Sequence, residues 1–246
     1  PAPWTVTVAV NVVSVQELCA TRLPKNMGIV PADIQVLSPT RKGDTGTRAL
    51  NLALQAVLNP PATGKREKKH GDFSFREGDR VMQIRNNYDI LWKRCDGLGA
   101  GTGIFNGDIG TIARIDFEAE LVTIDFDDRR AEYSFDMLSE LEPAYAMTVH
   151  KSQGSEYRAV ILSAFSGSQL LLTRSVLYTA ITRARELFII VGNEEVIAAM
   201  TRNDRQQRRY SGLRARLVRG GPEKEENHGP APISSEPALP TQVSLL

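Results

Sequence analysis

The sequence predicts an α/β fold, a layered domain with a parallel sheet that is interrupted by a small antiparallel β-barrel or sandwich. Three largely apolar runs, at residues 34–37, 159–164 and 187–192, are typical of strands buried on both faces. Segments with helical periodicity follow these runs. Between residues 73 and 142 the pattern changes to short β-rich segments separated by Gly-Asp and acidic turns. The α/β pattern therefore encloses an all-β insertion.

Composition limits the class of protein. The chain has 246 residues, of which 41% are hydrophobic, and a formal net charge of +1. This length is enough for a buried core in one or two domains. No apolar run reaches the ~18 residues of a membrane span, and no secretory signal is visible. Cys19 and Cys95 lack the spacing of metal ligands, so we expect a reduced, cytoplasmic protein without a metal site.

The first α/β segment contains a strand, a loop and a helix. Residues 5–15 alternate as in a strand, and the run at residues 34–37 is stopped by Ser38-Pro39. A helix follows, with Leu50, Leu54, Val57 and Leu58 predicted on its buried face. Residues 44–47 offer N-cap candidates, and the sequence at 59–61, Asn-Pro-Pro, ends the helix.

The second α/β segment begins after Glu142. The sequence SVLYTAITRAREL at residues 175–187 is predicted to be helical. Its buried side comprises Val176, Leu177, Ala180, Ile181 and Ala184. Asn193 is the expected N-cap of a further helix. We expect four parts: residues 1–72 and 143–219 form the α/β domain, residues 73–142 the β insertion, and residues 220–246 a disordered, Pro-, Glu- and Ser-rich tail.

Charge is unevenly distributed along the chain. Residues 201–219 contain seven Arg and one Asp, and residues 65–69 read KREKK. Such clusters suit a polyanion such as nucleic acid, but each is also typical of a solvated surface.

Three polar stretches lie beside or between the predicted core elements, where open α/β sheets bind ligands. They are SPTRKG, TVHKSQGSE and YTAITRAR. Their cations are Arg41, Lys42, His150, Lys151, Arg183 and Arg185. Hydroxyl and amide groups accompany them at Thr40, Thr148, Ser152, Gln153 and Thr182. This combination suits phosphate oxygens, and Gly154 permits close approach of backbone to a ligand.

The phosphate-binding pattern G-x-x-x-x-G-K-[ST] is absent from the sequence, and no acidic pair is obviously placed for Mg²⁺. The chain therefore supplies half of a nucleoside triphosphate site at most. It also begins at Pro1 rather than Met, so we expect it to be part of a longer protein.

The order and spacing of several motifs resemble the C-terminal part of RecD-like DNA helicases of superfamily 1. The motifs are IQVLSPTRKGDTGTRALNLALQAVLNP, FNGDIGTI, AYAMTVHKSQGSEY and LYTAITRAREL. This resemblance covers about residues 34–219. It implies that the α/β part is the second RecA-like motor domain and that the insertion is an SH3-like β-barrel. It further implies an ATP-dependent DNA helicase that acts in repair, recombination or plasmid transfer and moves 5′ to 3′.

The resemblance also implies residue roles. Arg183 and Arg41 would be catalytic and face the γ-phosphate of ATP, which binds with Mg²⁺. Gln153, Gly154 and Glu156 would line the nucleotide. Thr148, His150 and Lys151 would lie on the single-stranded DNA side. The implied partners are single-stranded DNA, a duplex fork and the N-terminal RecA-like domain of the same parent protein.

Alternatives remain at several positions and for the whole chain. Lys42 can replace Arg41, Arg183 can be an ordinary exposed helical arginine, and Glu156 can pair with a neighbouring Arg. The chain can be a stand-alone nucleic-acid-binding module without ATPase activity, or the motor fragment of a conjugative relaxase-helicase. In each case we expect no ATP hydrolysis by the chain alone.

Overall fold

The structure is a computed structural model that describes residues 4–6, 12–165 and 170–204. A five-stranded, wholly parallel sheet forms the centre of the α/β domain. In spatial order the strands are β1 (Trp4–Val6), β14 (Ala184–Gly192), β13 (Tyr157–Ala164), β2 (Ile34–Ser38) and β12 (Ala146–Thr148). The three predicted apolar runs lie within β2, β13 and β14, and their residues are buried. The α/β class with a parallel sheet is confirmed.

Helices cover both faces of this sheet. One face carries α1 (Val12–Glu17), a π-helical turn (Leu18–Arg22), α2 (Leu23–Met27) and α3 (Thr47–Leu58). The other face carries α4 (Arg174–Ile181) and α5 (Glu194–Arg202). Alternate residues of β13 point to opposite faces of the sheet. Ala159 and Ile161 pack with α3 on one face, whereas Val160 and Leu162 pack with α4 on the other. Period-2 alternation in a doubly covered strand explains why the whole run is apolar.

The strand predicted over residues 5–15 is wrong in its second half. Strand β1 is described over Trp4–Val6, and residues Val12–Glu17 form a helix. Val15 and Cys19, four residues apart, are buried in the cluster that also contains Leu50 and Leu54 of α3. Burial at helical spacing against α3 outweighs the local β propensity of the valines.

The helix predicted after β2 is present as α3 and is capped within the predicted residues 44–47, but one residue of its predicted buried face is exposed. Val57 is 41% exposed, whereas Leu50 and Leu54 are fully buried. The N-cap is Gly46, which makes no side-chain hydrogen bond. A Cβ at Gly46 would collide with the backbone of Arg41 and Lys42, so the preceding loop folds tightly over this position. Close packing of that loop therefore selects glycine at the cap.

The β insertion, called the β-barrel below, forms a separate seven-stranded antiparallel sheet around its own apolar core. In spatial order its strands are β11 (Leu141–Pro143), β5 (Arg80–Gln83), β8 (Ile109–Asp116), β9 (Leu121–Phe126), β10 (Arg129–Ser134), β6 (Asn87–Arg94) and β7 (Ala100–Ile104). A two-stranded hairpin, β3 (Glu67–His70) and β4 (Phe73–Arg76), precedes it, and a 3₁₀ helix (Phe135–Glu140) joins β10 to β11. The predicted β-rich insertion is thus present.

The helix predicted over residues 175–187 ends early. Helix α4 stops at Ile181, and Ala184 pairs with Tyr157 as the first residue of β14. Ala184 is therefore not on the buried face of a helix, and Arg183 lies in the turn between helix and strand. Extension of the parallel sheet outweighs the helical pattern of the sequence at this point. The predicted cap of α5 is confirmed, because the Asn193 side chain accepts from the Glu195 amide at 2.8 Å.

Several expectations fall outside the described residues: the tail at residues 220–246 and most of the Arg-rich stretch at residues 201–219. Within the described part, no helix has the length and apolar character needed to cross a membrane.

Candidate functional site

The carboxyl ends of the parallel strands form one edge of the sheet, the carboxyl edge, and their amino ends form the opposite one, the amino edge. The candidate residues divide between these two edges. Strands β2 and β12 are neighbours in register, with Thr148 opposite Ser38, so the loops that follow them meet at the carboxyl edge. Strands β13 and β14 are also neighbours, with Tyr157 opposite Ala184. Glu156 and Arg183 directly precede these two residues and therefore lie at the amino edge.

At the carboxyl edge, one carboxylate holds two of the predicted cations. Arg41 Nη2 forms an ion pair with Glu142 Oε1, and Lys151 Nζ lies 2.7 Å from Glu142 Oε2. Arg41 and Glu142 are 101 residues apart in the sequence. No pattern in the sequence marks Glu142, which sequence reasoning missed.

The loop that carries Arg41 is held by its own backbone and by Ser38. Ser38 Oγ donates to the Thr45 carbonyl at 3.0 Å, and the Thr47 amide donates to the Thr40 carbonyl at 3.0 Å. Together with the close packing at Gly46, these bonds place Arg41 at a defined point of the carboxyl edge.

His150 and Thr148 border an open pocket of about 630 Å³ next to this pair of cations. The pocket is also lined by Thr40, Lys42 and Leu171. The turn that contains His150 is stabilised by a buried hydrogen bond, in which the Ser152 hydroxyl donates to the Val149 carbonyl at 2.8 Å. The structure thus brings together Arg41, Lys42, His150 and Lys151 at one solvent-accessible edge, an arrangement suited to phosphate oxygens.

At the amino edge, the Arg183 guanidinium is tied to three acceptors of the chain. It donates to the Ser155 carbonyl at 3.0 Å, the Thr182 hydroxyl at 3.2 Å and the Thr179 carbonyl at 3.3 Å. Arg183 is half-buried rather than on an exposed helical face. Its side chain is therefore hydrogen-bonded directly to the loop before β13.

Gln153, Gly154 and Glu156 are exposed in that same loop. Gly154 has a φ of +88°, a left-handed conformation that strongly favours glycine, and the space beside it is open. Glu156 makes no ion pair within the described part of the chain.

The structure does not bring Arg41 and Arg183 together. Arg41 follows the end of β2, whose residue Leu37 is level with Leu162 of β13. Arg183 directly precedes Ala184, which is level with Tyr157 at the start of β13. Five residues of strand separate these levels, or about 16 Å at ~3.3 Å per residue. The two arginines expected to share one γ-phosphate therefore lie at opposite edges.

A cavity of about 620 Å³ adjoins the amino edge, between the loop at Ser155 and Glu156 and the β-barrel residues around Gly107 and Asp108. Arg80 of the barrel also lines it, and this residue too was missed by sequence reasoning. Arg80 donates to the carbonyls of Ala32 and Ile34, each at 3.2 Å. Burial lowers the pKa of its guanidinium. Among the described residues, no group of three or more His, Cys, Asp or Glu is placed to hold a metal ion.

Comparison with known proteins gives two family matches. Residues 50–126 match the SH3 domain of ATP-dependent RecD-like DNA helicases, and residues 143–191 match the UvrD-like helicase C-terminal domain. The ATP-dependent RecD2 DNA helicase of Deinococcus radiodurans is 35% identical over 188 residues, which are 75% of this chain and 24% of that protein. The RecD subunit of the RecBCD enzyme of Mycolicibacterium smegmatis is 38% identical over 188 residues, which are 76% of this chain and 30% of that protein.

The chain thus spans 24% and 30% of the length of these two relatives. Among solved structures, the Pif1 helicase from Bacteroides in complex with ADP-AlF3 and ssDNA is 16% identical, with a TM-score of 0.45, over 85% of this chain and 50% of that chain. The two family matches lie in the order expected from the motifs, with the SH3 match at residues 50–126 preceding the UvrD-like match at residues 143–191. This chain therefore carries an SH3 domain of the RecD-like DNA helicase type and a UvrD-like helicase C-terminal domain.

Proposed function

We propose that this chain supplies one half of the motor of an ATP-dependent DNA helicase, with the nucleotide at the amino edge of the parallel sheet and single-stranded DNA at the carboxyl edge. The observation that carries the proposal is the course of the loop from Thr148 to Glu156. The loop leaves β12 near Arg41, contains Lys151, and reaches β13 beside Arg183. One short segment therefore touches both candidate ligand sites.

On the nucleotide side, Arg183 is the catalytic residue and Gln153, Gly154 and Glu156 line the ligand. ATP with Mg²⁺ is bound mainly by the N-terminal RecA-like domain of the same parent protein, because this chain lacks a phosphate-binding Gly-rich loop. The residues present fit only the outer part of the nucleotide: an exposed loop with open space at Gly154 and a half-buried guanidinium. The Arg183 guanidinium supplies positive charge where negative charge develops on the transferring phosphoryl group.

On the DNA side, Thr148, His150 and Lys151 contact the backbone of single-stranded DNA. Arg41 joins this group rather than the nucleotide site, because its ion-pair partner Glu142 also binds Lys151. Bound DNA and bound nucleotide then act on opposite ends of one loop. Movement of Ser155 on nucleotide binding changes the presentation of Lys151 to DNA, which couples hydrolysis to stepping at a duplex fork.

Three further points belong to the proposal and rest on resemblance to the family. The helicase moves 5′ to 3′, it acts in the cytoplasm, and the chain alone does not hydrolyse ATP. Phosphate release by the purified 246-residue chain with single-stranded DNA present is the direct check on the last point. Turnover that survives removal of contaminating ATPases contradicts the half-site assignment.

The central test compares Arg183→Ala and Lys151→Ala in the complete helicase. Arg183→Ala is expected to lower kcat at saturating DNA by about 10³- to 10⁵-fold, because an arginine that stabilises the transferring phosphoryl group contributes that much to the rate. Nucleotide-free affinity for single-stranded DNA stays near the wild-type value. Lys151→Ala is expected to weaken DNA binding first, and saturating DNA restores much of its rate.

Arg185→Ala is the matched control, since Arg185 is exposed and lies two residues beyond Arg183. It is expected to retain kcat. Arg183 makes three hydrogen bonds within the chain, so the melting temperature of each variant is measured as well. A wild-type kcat for Arg183→Ala, or normal DNA affinity for Lys151→Ala, refutes the corresponding assignment.

A further inference from the structure

Glu142 has an unusual position among the charged residues. It lies on β11, the last strand of the β-barrel, where it pairs with Met82 of β5. Its two carboxylate oxygens hold cations from two separate loops of the α/β domain, Oε1 binding Arg41 and Oε2 binding Lys151 at 2.7 Å. Among the described residues, no other carboxylate forms ion pairs with two cations.

This arrangement reproduces the way in which two cations share one phosphate group. A carboxylate and a phosphate each offer two oxygens to charged donors, and both bind arginine and lysine by charge-assisted hydrogen bonds. The group is open to solvent: the side chain of Glu142 is 28% exposed and that of Arg41 is 62% exposed. A phosphate can therefore reach both cations once the Glu142 carboxylate has moved away from them.

We propose that Glu142 is an internal competitor of the DNA phosphate: it neutralises Arg41 and Lys151 when no strand is bound and releases both when a phosphate arrives. The inference rests on the proposed DNA site at the carboxyl edge. It gives the barrel a direct influence on that site, because the competing carboxylate belongs to a barrel strand. A strand that must displace Glu142 binds less tightly and leaves more readily, which suits a protein that releases DNA at every step.

The size of the effect follows from the strength of such pairs. Each solvent-accessible ion pair that DNA must break reduces affinity by about 1.4- to 5-fold, so two pairs reduce it by about 2- to 25-fold. Salt screens exposed ion pairs, and the effect is expected to shrink as ionic strength rises.

The experiment measures equilibrium binding of oligothymidylate to the complete 246-residue chain and to its Glu142→Gln variant, at low and at moderate salt. Glutamine keeps the size of the side chain and removes its charge. We expect binding to become about 2- to 25-fold tighter in Glu142→Gln at low salt, with a smaller difference at moderate salt. Circular dichroism and the melting temperature check that both proteins are folded.

Asp72→Asn is the matched control. Asp72 is paired with Arg48 at 2.8 Å and lines the same surface pocket as Arg41 and Glu142. Its substitution removes the same negative charge nearby without releasing Arg41 or Lys151. Affinity in Asp72→Asn is expected to change by less than about twofold, since a single exposed pair contributes little.

Arg41→Gln and Lys151→Gln separate this inference from the proposed function. Both are expected to weaken binding, and Lys151→Gln is expected to have a larger effect in the Glu142→Gln background, where Lys151 is already free. If both weaken binding but Glu142→Gln binds no more tightly than wild type or Asp72→Asn, the DNA site stands and the competitor role is refuted. If neither substitution alters binding, the DNA site is elsewhere and both proposals fall.

Discussion

At the residue scale, a buried carboxylate connects three parts of the fold. Asp79 is 1% exposed and accepts hydrogen bonds from Gln55 at 2.6 Å, Asn59 at 2.7 Å, Tyr145 at 3.0 Å and the Arg76 amide at 2.8 Å. Gln55 and Asn59 belong to the end of α3, and Tyr145 directly precedes β12. Asp79 thereby attaches the β-barrel to the strand from which the candidate DNA-binding loop departs.

We expect Asp79→Ala to lower the free energy of unfolding by about 3 kcal/mol, because several buried donors lose their acceptor at once. Urea denaturation measures this value. Asp72→Ala is the control, because that carboxylate is exposed and forms a single ion pair. Its loss is expected to cost less than about 1 kcal/mol. Equal destabilisation by the two substitutions contradicts a structural role for the Asp79 network.

Single residues also show where sequence reasoning about the site was limited. The motifs single out Arg41, Lys151 and Arg183 by type and order. They do not show that Glu142 holds the first two, or that Arg183 bonds to the Ser155 carbonyl. Both contacts join residues from different elements, and residue spacing within one motif carries no information about them.

At the element scale, α3 illustrates the limit of helical periodicity. Leu50, Leu54 and Val57 fit one apolar stripe, but the stripe that contacts the sheet is narrower and leaves Val57 41% exposed. The hydrophobic pattern correctly predicts that a helix forms and which turn contacts the core. The packed sheet and the neighbouring helix α1 decide how wide its buried face is.

The two ends of this stripe should respond differently to truncation. Leu54→Ala removes a fully buried side chain and leaves a cavity, so we expect a loss of about 2–5 kcal/mol in unfolding free energy. Val57→Ala is the matched control and is expected to change stability by no more than about 0.5 kcal/mol. Chemical denaturation of both variants tests the assignment. A large loss for Val57→Ala would show that this residue is buried in solution.

At the scale of the whole molecule, three tyrosines make the fold sensitive to alkali. Burial is the largest cause that raises the pKa of Tyr133, Tyr145 and Tyr157. Tyr145 also donates to Asp79, whose negative charge raises its pKa further. Each phenol ionises more easily in the unfolded chain, whose tyrosine pKa is about 10.

The direction of the pH effect follows from this difference. The folded pKa lies above the unfolded one, so the stabilisation is complete below about pH 10 and is lost as pH rises from there towards the folded pKa. We expect cooperative unfolding above about pH 10, with loss of circular dichroism coinciding with the late rise in tyrosinate absorbance. Complete tyrosine ionisation with an intact circular dichroism spectrum contradicts the burial of these phenols in solution.

The sequence alone determined the features that depend on neighbours along the chain. The apolar runs of β2, β13 and β14, the cap at Asn193 and the β-rich insertion are set by local burial pattern and hydrogen-bonding chemistry. The same local patterns, in their order, were sufficient to predict the resemblance to RecD-like helicases, which the family matches confirm.

Only the tertiary structure decided which candidate residues are neighbours. Strand order places β12 beside β2 and β13 beside β14, which brings Arg41 to Lys151 and Glu156 towards Arg183, and separates Arg41 from Arg183. Strand order depends on how the helices and the sheet pack together. The hydrophobic effect is non-directional, so an apolar pattern in the sequence does not specify which element it packs against. The division of the site into two edges is therefore a property of the sheet and not of any motif.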